Sequence, residues 1–418
     1  MLLIYRIAIN LILFLSPIII LFRFFKKKED PIRFKEKFCY FSKKKNKGKL
    51  VWFHGASVGE ILSVIPLIEK LEKNKNISQI LLTSNTLSSS KIISNLKLKK
   101  TVHQFFPIDT NLHTSKFLNY WKPSIVFFID SEIWPNMITN IKKRSISLVL
   151  LNARITKKSY KRWQMFNLTA KNIFQKFDIC FSSTLQSKKY LKSLGAKNIR
   201  YIGNLKFSQT EKKEDFLNKD IKKYFQTKKI WCAASTHNTE EKFCFIAHKK
   251  LKKKHKNLLT IIIPRHIDRT KKIIEEIENL NLKAYIHDSN DKIDNDTDIY
   301  LVNAYGKTKS FFKVCKTVFL GGSLIKHGGQ NPLEAAKYGC KILHGPNISN
   351  FQEIYAMLNK YGVSNKVTNS NQIMNKIEKS FNNKANSQKI KTKIKNLGDK
   401  ILNSTLEEVN FLVKKNET

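Results

Sequence analysis

Apolar positions along the chain fall into three regimes. Residues 1–25 are almost all apolar, broken by Arg6, Asn10, Ser16, Pro17 and Arg23. From Lys49 to about Gly203, short continuous apolar runs alternate with helix-like stretches. A polar, Lys-rich stretch, residues 209–228, interrupts this rhythm, which then returns. The runs at 50–53, 80–83, 124–129 and 148–151 read as strands, and those at 230–234, 259–263, 299–302, 317–320 and 341–343 repeat the pattern. Continuous apolar runs separated by helices indicate parallel strands covered on both faces. Two successive α/β halves with a cleft between them are the simplest architecture. The boundaries expected are an anchor over 1–25, a first half over 26–208, a linker over 209–228 and a second half over 229–418. Residues 382–400 are polar and Lys-rich and read as a solvated helix or loop.

The first regime has a defined character. Residues 7–22 carry no charge, slightly fewer than the ~20 residues that a span usually needs. Lys26-Lys27-Lys28 follow at once, and no small-residue cleavage site is visible. A membrane anchor is expected, either crossing the bilayer or lying in its interface. The basic excess after the stretch places the soluble body in the cytoplasm by the positive-inside rule.

Charge narrows the partners. The formal net charge is +45. Lys dominates over Arg and the charges run from Lys26 to Lys415, so they form no reading module for bases. Nucleic acid is not expected. Attraction to an anionic leaflet is, at about 1 kcal/mol per basic residue near the surface. The six cysteines form no C-x-x-C pair and sit among apolar residues, as in a reducing compartment.

Candidate chemistry clusters at strand ends, where open parallel sheets bind ligands. In the first half, His54-Gly55-Ala56-Ser57-Val58-Gly59-Glu60 follows a strand. Ser57 and Glu60 fit a capping box, and Glu60 is equally placed as a base for a substrate hydroxyl. Asp130-Ser131-Glu132-Ile133-Trp134-Pro135-Asn136 ends another strand, and Asn152-Ala153-Arg154 a third. Arg154 suits either an ion pair or an acidic substrate. In the second half, Ser235-Thr236-His237 and Pro264-Arg265-His266 end strands, with Glu240 and Glu241 opening a helix. The run Gly321-Gly322-Ser323 to Gly328-Gly329-Gln330-Asn331-Pro332-Leu333-Glu334 follows the strand at 317–320. Its glycines suit a sharp turn, and a helix is expected from Pro332 with Asn331 as N-cap and Glu334 at N3. Such a loop is an anion site through its free N–H groups, although it matches neither the P-loop nor the dinucleotide fingerprint. No Asp-x-Asp pair suited to a nucleotide-sugar metal is present.

Together with Gly203-Asn204-Leu205-Lys206-Phe207, these motifs resemble the 3-deoxy-D-manno-octulosonic acid (Kdo) transferases, lipopolysaccharide enzymes of Gram-negative bacteria. The likeness runs, in family order, to about Phe351. It implies a GT-B glycosyltransferase of two Rossmann-like domains, anchored at the cytoplasmic face of the inner membrane. The implied donor is CMP-Kdo and the implied acceptor the lipid A precursor, a tetraacylated disaccharide bisphosphate (lipid IVA). Transfer would be inverting, without metal or cofactor. Glu60 would be the catalytic base and Glu132 a second acid. Substrate contacts would fall on Ser57, Gly59, Arg154, Ser235, Thr236, Arg265, His266, Gly321, Gly322, Ser323, Gln330, Asn331 and Glu334. The family's Asp-x-x-Gly-Glu is Asn303-Ala304-Tyr305-Gly306-Lys307 here, which removes two acids, and a glycine usual near Ser88 is missing. Alternatives are another GT-B transferase using a UDP-sugar, or a basic, membrane-anchored binding protein without catalysis.

Overall fold

The computed structural model describes residues 2–209, 217–287, 293–382 and 387–415. The chain divides into two compact units: Met1–Thr210 with Leu397–Thr418, and Glu211–Asn396. Each is built on a seven-stranded sheet.

The strands of the first unit are β1 Leu50–His54, β2 Gln79–Ser84, β3 Thr101–Phe105, β4 Ile125–Ile129, β5 Ser147–Ala153, β6 Ile179–Ser182 and β7 Ile199–Tyr201. All pair in parallel, in the order β3-β2-β1-β4-β5-β6-β7. The central strands are apolar throughout because helices cover both faces. Trp52, Phe53, Phe127 and Phe128 are fully buried, and the Phe53 and Phe127 rings stack at 4.8 Å. The strand order reverses between β1 and β4, and the first unit's candidate motifs leave the sheet at these strands and β5.

The second unit has β8 Lys229–Thr236, β9 Leu258–Pro264, β10 Ala284–Ile286, β11 Ile299–Leu301, β12 Thr317–Leu320, β13 Lys341–His344 and β14 Ser364–Lys366. These are also all parallel, in the order β10-β11-β9-β8-β12-β13-β14. The reversal lies between β8 and β12, the strands that lead into Ser235 and into Gly321.

Residues 397–418 were expected with the second half, but they belong to the first unit. The helix Ser387–Lys415 begins in one unit and ends in the other. Along its later turns Lys49 Nζ donates to Val413 O at 2.9 Å, Lys70 Nζ to Asn403 Oδ1 at 2.7 Å and Asn74 Nδ2 to Asn410 Oδ1 at 2.9 Å, while Arg200 pairs with Glu408. Gly398 is required there, since a Cβ would lie 2.5 Å from Phe207 O. The expected linker holds the helix Lys219–Gln226, which buries Ile221 and Phe225, and residues 210–216 of it lie outside the described residues.

The first segment is a helix, Leu2–Phe25, whose length and composition alone would let it cross a membrane. Little of its most apolar stretch, 6%, is buried.

Because Ile401 is buried in the first unit, Ile401→Ala should cost about 2–5 kcal/mol there. Denaturant unfolding followed by tryptophan fluorescence checks this, since Trp52, Trp121, Trp134 and Trp163 all lie in that unit. An unchanged midpoint for the tryptophan signal would contradict the assignment of this helix.

Candidate active site

In the first unit, β1 runs into Gly55-Ala56-Ser57 and then the helix Val58–Leu71. Ser57 is the N-cap, and the full capping box is present. The Glu60 carboxylate curls back so that Oε2 accepts from Ala56 N at 2.7 Å and Ser57 N at 3.2 Å. It remains partly exposed. Burial, then the negative charges of Glu132 and Asp130, push its pKa up to about 7 against the pull of the Ser57 contacts. A raised carboxylate favours folding most below its ordinary 4.5, and that contribution is lost as pH rises through about 7.

The other two acids come from the loop after β4. Asp130 is buried with φ 61°, a strained backbone for a residue other than Gly. Burial raises its pKa, while Lys206, at 3.6 Å, and Arg154 oppose the rise. Glu132 Oε2 accepts from Trp134 Nε1 at 2.8 Å. The same oxygen lies 3.3 Å from His54 Nε2, but that nitrogen makes no hydrogen bond of normal geometry. His54 is held by Thr83 Oγ1 at 3.0 Å through Nδ1 and stacks on Phe106 at 3.8 Å. Arg154 follows β5, with its N–H donating to Asp130 O at 3.1 Å. Asn152, also at positive φ, accepts from Leu205 N at 3.0 Å. This ties the Asn204-Leu205-Lys206 turn beneath the acids. Gly59 is exposed, with open space around a Cβ position.

Sequence reasoning passed over Asp109, a buried acid in the loop after β3. Its carboxylate accepts from Asn136 N at 3.0 Å and Met137 N at 2.8 Å, capping the helix Pro135–Lys143 that leaves the Glu132-Ile133-Trp134 segment. Burial raises its pKa to about 6. No local motif announces it, because its partners are 27 and 28 residues away in sequence.

In the second unit the Gly-rich loop does hold an anion, and the anion is Glu240. This carboxylate is fully buried. It accepts from Gly322 N at 2.6 Å, Ser323 N at 3.0 Å, Leu324 N at 2.9 Å and His237 N at 3.0 Å. The N–H groups expected to face a phosphate are therefore occupied by the protein's own side chain. A clue was available: Glu240 stands three residues beyond a strand-end His237, the spacing by which Glu60 reaches back to Ser57. Ser323 is also committed, donating to Leu320 O at 2.5 Å and accepting from Gly345 N at 2.8 Å. The helix after the loop starts one residue later than expected. It spans only Leu333–Lys337, with Pro332 as N-cap and Asn331 Oδ1 accepting from Leu333 N at 3.1 Å.

Gly321 permits close packing, since a Cβ would lie 2.3 Å from Ser235 O. A Cβ on Gly322 would crowd His327, Gln330 and His237, which gather around it. The His237 and His327 rings are 4.3 Å apart, His266 is 5.7 Å from His237, and Gln330 Nε2 lies 3.4 Å from His237 Nε2. Burial, then His327, His266, Arg265 and Arg269, lower the His237 pKa to about 4. Arg265 is exposed, with its N–H bonded to Thr236 O at 2.9 Å. Ser235 is half-buried at φ 55°. Thr236 Oγ1 is buried without a hydrogen-bond partner. Asn331 is exposed and Glu334 half-buried in the first turn of the short helix. His237, His266, His327, Arg265 and Gln330 thus form an imidazole- and guanidinium-rich rim, of which His237 and His327 were not among the expected contacts. Of the two departures, Asn303 is exposed, and Lys307 Nζ lies 3.1 Å from His287 Nε2. Among the described residues, no group of three or more His, Cys, Asp or Glu is placed to hold a metal ion.

Known proteins are similar to this sequence. Residues 32–209 match the family described as "3-Deoxy-D-manno-octulosonic-acid transferase (kdotransferase)". The 3-deoxy-D-manno-octulosonic acid transferase of Rickettsia bellii (strain RML369-C) is 32% identical over 368 residues, 86% of this chain and 86% of the relative. The chain belongs to the Kdo transferase family. The enzyme of that name from Rickettsia typhi (strain ATCC VR-144 / Wilmington) is 35% identical over 82% of this chain and 74% of its own length. As a Kdo transferase the protein is a glycosyltransferase of lipopolysaccharide biosynthesis. Among solved structures, the UDP-GlcNAc 2-epimerase from Neisseria meningitidis bound to UDP-GlcNAc superposes with a TM-score of 0.58 at 13% identity, covering 86% of this chain and all of the other. That likeness shows the fold, a GT-B-type pair of α/β domains.

Replacing Glu240 by Gln would set an amide donor against N–H groups. Hydrogen bonds to a charged acceptor are worth about 1.5–3 kcal/mol each, so Glu240→Gln should cost about 3 kcal/mol or more. Calorimetry checks this through the melting temperature, and an unaltered transition would contradict the role given to this acid.

Proposed function

We propose that this Kdo transferase moves Kdo from CMP-Kdo to the disaccharide of a lipid A precursor, with inversion and without a metal ion. It would act at the cytoplasmic face of the inner membrane, attached through the N-terminal helix. The observation that carries the reading is Glu60. Two backbone N–H groups orient its carboxylate, and burial, together with two neighbouring acids, raises its pKa to about 7, where a general base works best. Glu60 takes the proton of the acceptor's sugar hydroxyl as that oxygen attacks the anomeric carbon of Kdo. The bond from that carbon to the phosphate oxygen breaks, and CMP leaves with the electron pair. Glu132 keeps the site electronegative. Its carboxylate is fixed by Trp134, so it raises Glu60 without competing for the same N–H groups.

The donor is assigned to the second unit. CMP-Kdo carries a phosphate and a carboxylate, and the rim of Arg265, His237, His266 and His327 is rich in groups that meet such anions. Charge gathering on departing CMP is met by Arg265, which is exposed and fixed through its backbone to Thr236. Ser235, Gln330, Asn331 and Glu334 complete the donor contacts, with Gly321 and Gly322 keeping the wall thin. Gly322, Ser323 and Glu240 act as the frame. Ser57, Gly59 and Arg154 are assigned to the acceptor.

The test is incubation of the purified protein with CMP-Kdo and tetraacylated lipid A precursor, with product read by mass. One or more added Kdo units are expected. Glu60→Gln should lower turnover by at least about 100-fold, within the range that a general base supplies. Its affinity for CMP should stay unchanged. Transfer from a UDP-sugar instead, or full activity in Glu60→Gln, would overturn the reading.

A further inference from the structure

The N-terminal helix is covered along one narrow stripe for its whole length. Tyr5, Ile9, Leu13, Ser16, Ile20 and Arg23 are buried or half-buried, at intervals of three and four residues. The opposite face, with Leu3, Ile7, Leu11, Phe14, Ile18 and Phe22, is exposed and wholly apolar. A helix with that division is docked on its own domain along its length.

Polar ties hold both ends. Near the start, Tyr5 Oη donates to Asp109 Oδ2 at 2.7 Å and Arg6 Nε to Asn136 Oδ1 at 3.0 Å. Asp109 and Asn136 are both 1% exposed, inside the folded first unit. Near the end, Arg23 Nε donates to Glu29 Oε2 at 2.7 Å, and Lys37 binds the same carboxylate. The segment carrying Lys37 is itself fixed to β3, because Glu36 Oε2 accepts from Phe105 N at 2.8 Å and Arg33 donates to His103 O at 2.9 Å. Tyr5 and Arg23 are 18 residues apart, or ~27 Å along a helix axis. That is nearly the ~30 Å hydrocarbon thickness of a bilayer. A crossing helix would put Arg23 at one headgroup level and Tyr5 with Arg6 at the other. Their partners belong to a single folded body, which cannot lie on both sides.

We infer that this helix lies in the plane of the membrane interface, its exposed apolar face in the lipid and its N-terminus on the same side as the catalytic body. The partner is an anionic leaflet. Lys26, Lys27 and Lys28 extend exposed from the end of the helix, and the chain as a whole carries +45. Two cavities flank the docked stripe. One, of about 380 Å³, is lined by Leu2, Tyr5, Trp163 and Phe166, and the other, of about 300 Å³, by Arg6, Ile9, Leu13 and Leu112. Phe166 and Leu112, both exposed, add apolar surface of the body beside the helix. The inference rests on the membrane attachment proposed above and is independent of the sugar transferred.

The test uses the full chain in bacterial membranes, with a cysteine-bearing tag ahead of Met1 and, as the reference for the body's side, Lys189→Cys at an exposed site. All six native cysteines are buried, so a membrane-impermeant maleimide meets little background. The expected result is labelling of tag and reference from the same membrane face to equal extent, in spheroplasts against inverted vesicles. Labelling of the tag only from the opposite face, or only after detergent, would overturn the inference while leaving membrane attachment standing. Failure of the untagged chain to float with phosphatidylglycerol-containing vesicles would remove the attachment, and the inference with it.

Discussion

A buried carboxylate must find hydrogen-bond donors, and how many it finds decides what it can do. Both units place a Glu in the first turns of the helix after the first strand of a parallel sheet. Glu240 receives four backbone N–H groups and is sealed away. Glu60 receives two, stays partly open, and faces two other acids in place of a closing loop. The first carboxylate is frame, and the second is the one proposed above as the base. Burial and like charge raise a pKa, while backbone donors lower it. At Glu60 burial and like charge outweigh the donors, and its pKa rises to about 7.

The same contrast explains the glycines. A loop that must deliver three successive N–H groups to one carboxylate has to turn tightly, and Gly322 does so at φ 66°. Gly321 lies so close to Ser235 that no side chain fits. Their role is to bind Glu240 and to bring His237, His327 and Gln330 together at the surface. In the function proposed above, ligand recognition therefore falls to side chains, chiefly Arg265 and the imidazoles, rather than to the backbone of the loop.

Much of this was legible in the sequence. Nine apolar runs became strands, because strands buried on both faces have no polar positions to disguise them. The strands that were missed lie toward the sheet edges. β14 is Ser364-Asn365-Lys366, and β3 carries His103, which Arg33 and Ser84 meet, and Gln104, whose buried side-chain amide has no hydrogen-bond partner. The capping box at Ser57 and Glu60 was readable because it is local. The occupied loop was not, since its partner is more than 80 residues away. The later turns of the last helix, from residue 397, fall in the other half than expected for a similar reason. Its apolar residues, such as Val409 and Val413, look alike whichever core they enter, and only contacts with Lys49 and Asn74 reveal which one.

The central claim is that Glu60 gives up a proton near neutrality because burial and the charges of Glu132 and Asp130 raise its pKa. The most direct measurement is the rate of transfer against pH under saturating substrates, for the native chain and for Glu132→Gln. The native rate should fall as pH drops through about 7, as Glu60 becomes protonated. In Glu132→Gln that fall should move to lower pH, because one repelling charge is gone. A native profile that is flat across neutrality, or a limb that does not move when Glu132 loses its charge, would contradict the account.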